Sequence, residues 1–192
     1  GEVQKVESVG PSACDSVQDE VVYIIDSFSL IYQVFFAMPP MTGPVGQPVN
    51  AIFGFVRDIA DLLKRKTPTH IIAVFDAPGD VFRHELYPAY KENRDPMPDD
   101  LRAQIPSIKR MLEAMGIRCL ELVGFEADDI MATLAEQSDV RGNKCFLVTS
   151  DKDCRQLLSD NVQMYNIRKD SYFDAEDLHE VWGVRPDQVV DF

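Results

Sequence analysis

Gly124-Phe-Glu-Ala-Asp-Asp-Ile130 places three carboxylates within four positions, directly after an apolar run. The run before it, Ile117-Arg-Cys-Leu-Glu-Leu-Val123, has the length and β-branched content of a short buried strand. The run after it, Ile130-Met-Ala-Thr-Leu-Ala135, repeats apolar residues at helical spacing, with Ile130 and Leu134 on one stripe. Glu126, Asp128 and Asp129 therefore fall at a strand-to-helix junction. On a helical path Glu126 and Asp129 are i,i+3 neighbours, so like charges would face each other unless a cation or water screens them. Taken alone, the stretch reads as an acidic helix N-terminus, which the macrodipole and exposed amides favour. Its surroundings in the chain point further.

Working outward, Asn143-Lys-Cys-Phe-Leu-Val-Thr149 is an expected strand that runs into Ser150-Asp-Lys-Asp153. Val21-Val-Tyr-Ile-Ile25 is a continuous apolar run of the central-parallel-strand kind, ending in Asp26-Ser27. His70-Ile-Ile-Ala-Val-Phe75 is another, followed at once by Asp76. Between them the pattern predicts a helix over 28–38 and a Pro/Gly loop over 38–48. A second helix follows over 49–66, with Ile52, Val56, Ile59 and Leu63 on its apolar stripe and a basic C-terminal end. Asp99 or Asp100 is expected to cap a helix reaching Met115, bent or divided at Pro106 and ended by Gly116. Later come a short helix (154–158), a strand (162–167), a capped helix from Asp174 to Trp182, and a helix beginning at Pro186. Strands alternating with helices predict an α/β fold, a mostly parallel twisted sheet with helices on both faces. Ligands of such sheets bind beyond the carboxyl ends of the strands.

The acids fall at that edge. Asp26 follows the first strand, Asp76 the second, Glu126, Asp128 and Asp129 the third, and Asp151 and Asp153 the fourth. Each alone is an ordinary cap or turn residue. Together they could not all stay ionised without cations. Oxygen donors with no His and no paired Cys select magnesium or manganese over zinc. The number of acids suits two ions about 4 Å apart, one activating a water and one stabilising the leaving oxygen of a phosphodiester. Lys91 and Arg94, three apart with Tyr90 adjacent, suit a phosphate backbone and an unpaired base, and Arg83 with Phe82 is a weaker candidate. Alone, this segment is a solvated basic loop; beside a metal site it becomes a substrate clamp.

Composition limits the rest. The chain has 192 residues, 45% of them hydrophobic, enough for one domain with a real core. No run of about 18 apolar residues occurs, so no membrane partner is expected. A net charge of −13 argues on its face against nucleic acid, yet clustered metal-ligating carboxylates would contribute several of those charges. The cysteines at 14, 119, 145 and 154 show no zinc spacing and fit buried thiols in a reducing cytoplasm. Residues 1–20 read as a disordered acidic lead-in.

At Ile24-Ile-Asp-Ser27, Val74-Phe-Asp-Ala77, Phe82-Arg83, Tyr90-Lys-Glu-Asn-Arg94, Met97-Pro-Asp-Asp-Leu-Arg102, Glu126-Ala-Asp-Asp129 and Ser150-Asp-Lys-Asp153 the chain resembles the 5′ nuclease domain at the N-terminus of bacterial DNA polymerase I. That domain is related to flap endonucleases and the wider PIN-like, resolvase-like nucleases. The resemblance covers residues 21–192. It implies that Asp26, Asp76, Glu126, Asp128, Asp129, Asp151 and Asp153 hold two divalent ions, magnesium or manganese. It implies that Lys91 and Arg94 touch the scissile phosphate, with Asp128 sharing in the chemistry, while Tyr90 stacks on a base. The activity implied is 5′-3′ exonucleolytic and flap-endonucleolytic cleavage in replication and repair. The partners implied are DNA with a 5′ flap or 5′ end, an RNA primer on DNA, and a polymerase domain in the parent chain. Ser27 and Gln33 stand where the family has Gly and Arg, and Ser150 where Gly is common. The family also continues past Phe192 into two further metal-binding Asp residues and a helix-hairpin-helix, so the chain is expected to be cut short and weak or inactive in flap cleavage. Two alternatives remain from the residues alone. One is a phosphotransfer fold with Lys152 as its strand-end lysine; the other is a non-catalytic module binding flapped or single-stranded DNA.

Overall fold

The computed structural model describes residues 20–79 and 96–191. Nearly all of the expected lead-in, and all of the basic segment with Phe82, Arg83, Tyr90, Lys91 and Arg94, lie outside the described residues. The strands are β1 (Val21–Asp26), β2 (His70–Val74), β3 (Arg118–Leu120), β4 (Lys144–Val148), β5 (Val162–Asn166) and β6 (Ser171–Phe173). They form one sheet in the order β3-β2-β1-β4-β5-β6, parallel except for the antiparallel β5–β6 pair. The helices are α1 (Ser27–Ala37), α2 (Asn50–Lys66), α3 (Asp99–Arg102), α4 (Ile105–Ala114), α5 (Ala127–Val140) and α6 (Ala175–Trp182). Residues Lys152–Leu157 and Pro186–Asp191 form 3-10 turns.

Alternation along β1 divides the core, because successive side chains point to opposite faces. Tyr23 and Ile25 face a cluster with Leu30, Val34, Phe55, Ile59 and Ile108, contributed by α1, α2 and α4. Val22 and Ile24 face a second cluster with Met131, Ala135 and Leu178, contributed by α5 and α6. Both faces are thus covered by helices, as the unbroken apolar strand runs required. Gly54 lets α2 lie close against α1, since a Cβ there would meet Val34 Cγ1 at 2.3 Å and Met38 Sδ at 2.5 Å.

Several local expectations need correction. The buried stripe of α2 is Ala51, Phe55, Ile59 and Leu62, not Ile52, Val56, Ile59 and Leu63. The helix turns its small and aromatic residues inward, and only Ile59 lies on both stripes. Pro98, not Asp99 or Asp100, caps α3, and the chain divides before Pro106, which sits in the first turn of α4. The third strand keeps only Arg118–Leu120, because Leu122 and Val123 are exposed in the turn that follows. β6 was not foreseen. The helix expected at 154–158 is a 3-10 turn two residues earlier, and the segment from Pro186 is likewise 3-10. Cys145 is buried in β4, Cys119 half-buried in β3, and Cys154 buried beyond β4; all three thiols are free, and burial pushes their pKa values up. Among the described residues no helix is long and apolar enough to cross a membrane.

Candidate metal centre

In the strand order β3-β2-β1-β4 every neighbouring pair is parallel, so four carboxyl ends open on one edge. The order reverses between β1 and β4, where a crevice is expected. Asp26 is level with Val74 of β2, and Val148 of β4 is level with Ile25. A cavity of about 760 Å³ lies over this edge, lined by Asp26, Asp76, Asp128 and Asp151 together with Ser29, Tyr32, Arg102, Lys109 and Ser150.

Three of these acids also secure the start of an element. Asp26, 7% exposed, caps α1: its Oδ1 accepts from the Ser29 N–H at 3.1 Å and its Oδ2 from the Thr149 hydroxyl at 2.8 Å. The same Thr149 Oγ1 accepts from the Asp151 N–H at 3.0 Å, while Asp151 Oδ1 accepts from the Asp153 N–H at 3.0 Å. Thr149 therefore ties the ends of β1 and β4 together. Asp76 Oδ1 accepts from the Ala127 N–H at 2.7 Å, fastening the end of β2 to the first turn of α5. Gln33 donates to Ser150 Oγ, and the Ser29 and Ser150 hydroxyls lie 3.0 Å apart, so the expected departures at 33 and 150 bond to each other.

Four of the seven predicted ligands line the cavity. Asp26, Asp76, Asp128 and Asp151 share the cavity; Glu126, Asp129 and Asp153 are not among the residues that line it. Glu126 and Asp129 form a reciprocal capping box: the Asp129 N–H bonds the Glu126 side chain, and Asp129 Oδ2 accepts from the Glu126 N–H at 3.0 Å. The expected clash between them is relieved by backbone donors. Among the described residues, no three His, Cys, Asp or Glu side chains stand close enough together to hold one ion.

Electrostatics nevertheless couples the edge. Asp128 is pushed up to about 6, first by burial and then by the charges of Asp26, Asp151, Asp76 and Glu126. Asp26 is raised too, mainly by burial, against the lowering effect of its two hydrogen bonds. Such like-charge strain is what a divalent cation relieves, and the donor set is all oxygen, which suits magnesium or manganese. Sequence reasoning missed Arg102 and Lys109, cations on α3 and α4 that line the same cavity. Helical spacing could have put both on one side of that segment, but nothing in the sequence said which side faced the edge.

Thr149→Val tests the tie between β1 and β4. It keeps the shape but strands the buried Asp26 Oδ2, and a hydrogen bond to a charged group is worth about 1.5–3 kcal/mol. Denaturant unfolding should show a loss of about 2 kcal/mol, most of it recovered by Thr149→Ser. Unchanged stability in the valine variant would show that the tie carries no weight.

Residues 21–183 match the family model described as the 5′-3′ exonuclease N-terminal resolvase-like domain. A 5′-3′ exonuclease of Aquifex aeolicus is 42% identical over 173 residues, covering 90% of this chain and 60% of that protein. A thermostable DNA polymerase I of Thermus thermophilus is 39% identical over 171 residues, covering 89% of this chain and 20% of that protein. Among solved structures, the flap endonuclease of bacteriophage T5 in a pseudo-enzyme-product complex with DNA and metal ions superposes with a TM-score of 0.66 at 22% identity. That match covers 88% of this chain and 63% of that one, and shows the shared fold. The chain thus spans three fifths of the exonuclease it matches and a fifth of the polymerase. With its acids gathered at one sheet edge and the family model matching nearly all of its described length, the chain belongs to the family of 5′-3′ exonuclease N-terminal, resolvase-like domains.

Proposed function

We propose that this chain is the acid-bearing domain of a metal-dependent 5′-3′ exonuclease and flap endonuclease, acting on DNA with a 5′ end or 5′ flap and on RNA primers annealed to DNA. The observation that carries it is the delivery of Asp26, Asp76, Asp128 and Asp151 from separate elements into one cavity at the carboxyl edge. The relatives named as 5′-3′ exonuclease and flap endonuclease, one of them holding DNA and metal ions, support it.

Asp26, Asp76, Asp128 and Asp151 would hold two divalent ions, magnesium or manganese, with Glu126, Asp129 and Asp153 completing the set. When bound, such ions supply an activated water and stabilise the leaving oxygen of a phosphodiester. The protein's own share is orientation. Thr149 fixes Asp26 and Asp151 relative to each other, and Asp76 fixes the start of α5, from which Asp128 faces the cavity. Burial and the neighbouring acids hold the Asp128 carboxyl up to about 6, a like-charge strain that bound cations would relieve. Lys91 and Arg94 would contact the scissile phosphate and Tyr90 stack on a base, with Phe82 and Arg83 as weaker contacts; these roles rest on the sequence. Residues 21–192 form the nuclease unit in this reading.

Manganese titration by calorimetry, run beside cleavage of a labelled 5′-flap duplex, tests the proposal. Ion binding is expected with weak metal-dependent release of the flap, and Asp128→Ala combined with Asp129→Ala should remove the binding. Ion binding that survives the double substitution would relocate the site. A chain that binds flapped DNA but no ion would be a non-catalytic binding module.

A further inference from the structure

Away from the acidic cavity, a cleft of about 590 Å³ lies between α2 and the turn after β5, lined by Arg57, Asp58, Asp61, Arg65, Ile167 and Arg168. On a chain of net charge −13, three guanidinium groups around one cleft are unexpected. Asp58 is the buried member, 7% exposed. Arg57 Nε and Nη2 donate to its Oδ1 at 3.1 and 2.9 Å, and Arg168 Nε stands 3.9 Å from its Oδ2. Oδ2 is itself buried with no hydrogen-bond partner among the described residues. A buried carboxylate left half-satisfied holds cations close, because its charge has little other compensation.

The arginines differ in what remains to them. Arg65 is committed to the fold: Nε donates to the Asp61 carbonyl, Nη2 to the Ile167 carbonyl, and Nη1 pairs with Asp170 at 3.3 Å. Arg168 is fixed at its backbone, where its N–H donates to Asn166 Oδ1 at 3.1 Å, and at one tip, where Nη1 donates to the Gln33 carbonyl at 3.5 Å. The side chains of Arg57 and Arg168 stay 44% and 34% exposed, so both present further N–H groups to solvent from oriented planes. Oriented guanidinium forks suit the tetrahedral oxygens of a phosphate. Gln33 links this cleft to the acidic cavity: its side-chain amide donates to Ser150, which lines that cavity, while its carbonyl accepts from Arg168. Gln33 therefore touches residues of both sites.

We propose that Arg57 and Arg168 seat a backbone phosphate of a polynucleotide strand in this cleft, which Gln33 links to the acidic cavity; the proposal rests on the nuclease reading above. Binding of a fluorescein-labelled 5′-flap duplex, followed by anisotropy in EDTA across a salt series, tests it with Arg57→Gln/Arg168→Gln. Loss of one phosphate contact should lower the slope of log affinity against log salt by about 0.9 and weaken binding roughly tenfold at about 0.1 M salt. Lys144→Gln, at the opposite edge of the sheet, should change neither. Since the double variant leaves Asp58 buried without its cations, a version that adds Asp58→Asn guards against misfolding and should show the same slope. A slope that stays at the parent value in both versions overturns the proposal while leaving the nuclease reading intact. Parent protein that binds no duplex overturns both. Millimolar inorganic phosphate displacing the duplex from the parent at constant ionic strength, but not from the variants, would assign the cleft to free phosphate and overturn the polynucleotide assignment.

Discussion

Asp128→Asn is expected to raise the melting temperature of the metal-free protein at neutral pH and to remove the further rise that magnesium is expected to give the parent. The sign follows from the direction of the shift. The native carboxyl titrates near 6 against an ordinary value of 3.8, so the folded state holds its proton more tightly than the unfolded chain. The associated stability is fully present below 3.8, declines as pH rises toward 6, and is gone above it. Asp26 is displaced in the same direction and adds to the trend. The full effect for Asp128 would be about 3 kcal/mol. Asp128 is only half-buried, and solvent screening reduces it to about 1 kcal/mol. For a chain of this size that is about 2–4 °C in melting temperature. Thermal melts at pH 4 to 8, with and without magnesium, are the measurement. The parent should lose stability between pH 4 and 6 and regain it with magnesium at neutral pH, while the asparagine variant follows a flatter profile and ignores the ion. A variant that still gains stability from magnesium would remove Asp128 from the ion site.

Phe55→Ala is expected to cost about 3–5 kcal/mol, the range for deleting a fully buried aromatic side chain, without touching any acid. Phe55 is 0% exposed and belongs to the cluster that joins α1 and α2 to β1 and β2. At this size the loss corresponds to roughly 10 °C in melting temperature. Because α1 begins at the Asp26 cap, its looser packing should also weaken manganese binding once the variant is partly unfolded. Below the new melting transition, calorimetry should recover the parent's ion stoichiometry. A small change in stability would mean that the α1–α2 layer is not part of the cooperative core.

The edge of acids was legible because each main strand is a short apolar run and each is followed within a few residues by an Asp or Glu. Period and punctuation sufficed for Asp26, Asp76 and Asp151, whose strands pair in parallel as the alternation implied. The fates of Glu126 and Asp129 were not legible. Whether an i,i+3 acidic pair repels or caps depends on a half-extended backbone at Glu126 (φ −87°, ψ 161°), which no spacing rule reports. The inward stripe of α2 was misplaced for a related reason. Gly54 and Ala51 carry little hydrophobic weight, yet their smallness lets α1 approach. β6 escaped because three partly exposed residues pairing antiparallel leave no apolar run. The Arg57–Asp58–Arg168 arrangement joins residues more than a hundred positions apart, and only the fold brings them together.

Asp26 and Asp151 each close a helical start or a turn with backbone N–H bonds, and Asp76, Glu126 and Asp129 together close the start of α5. These bonds ask nothing of an ion, so the edge can be assembled during folding before any metal is present. An alanine scan of the acids would therefore report two losses at once, a missing ligand and an unravelled helix start. Asparagine at Asp76 keeps the acceptor that bonds the start of α5 while removing the charge, and separates the two. A correctly folded variant with that charge removed is best sought by that route.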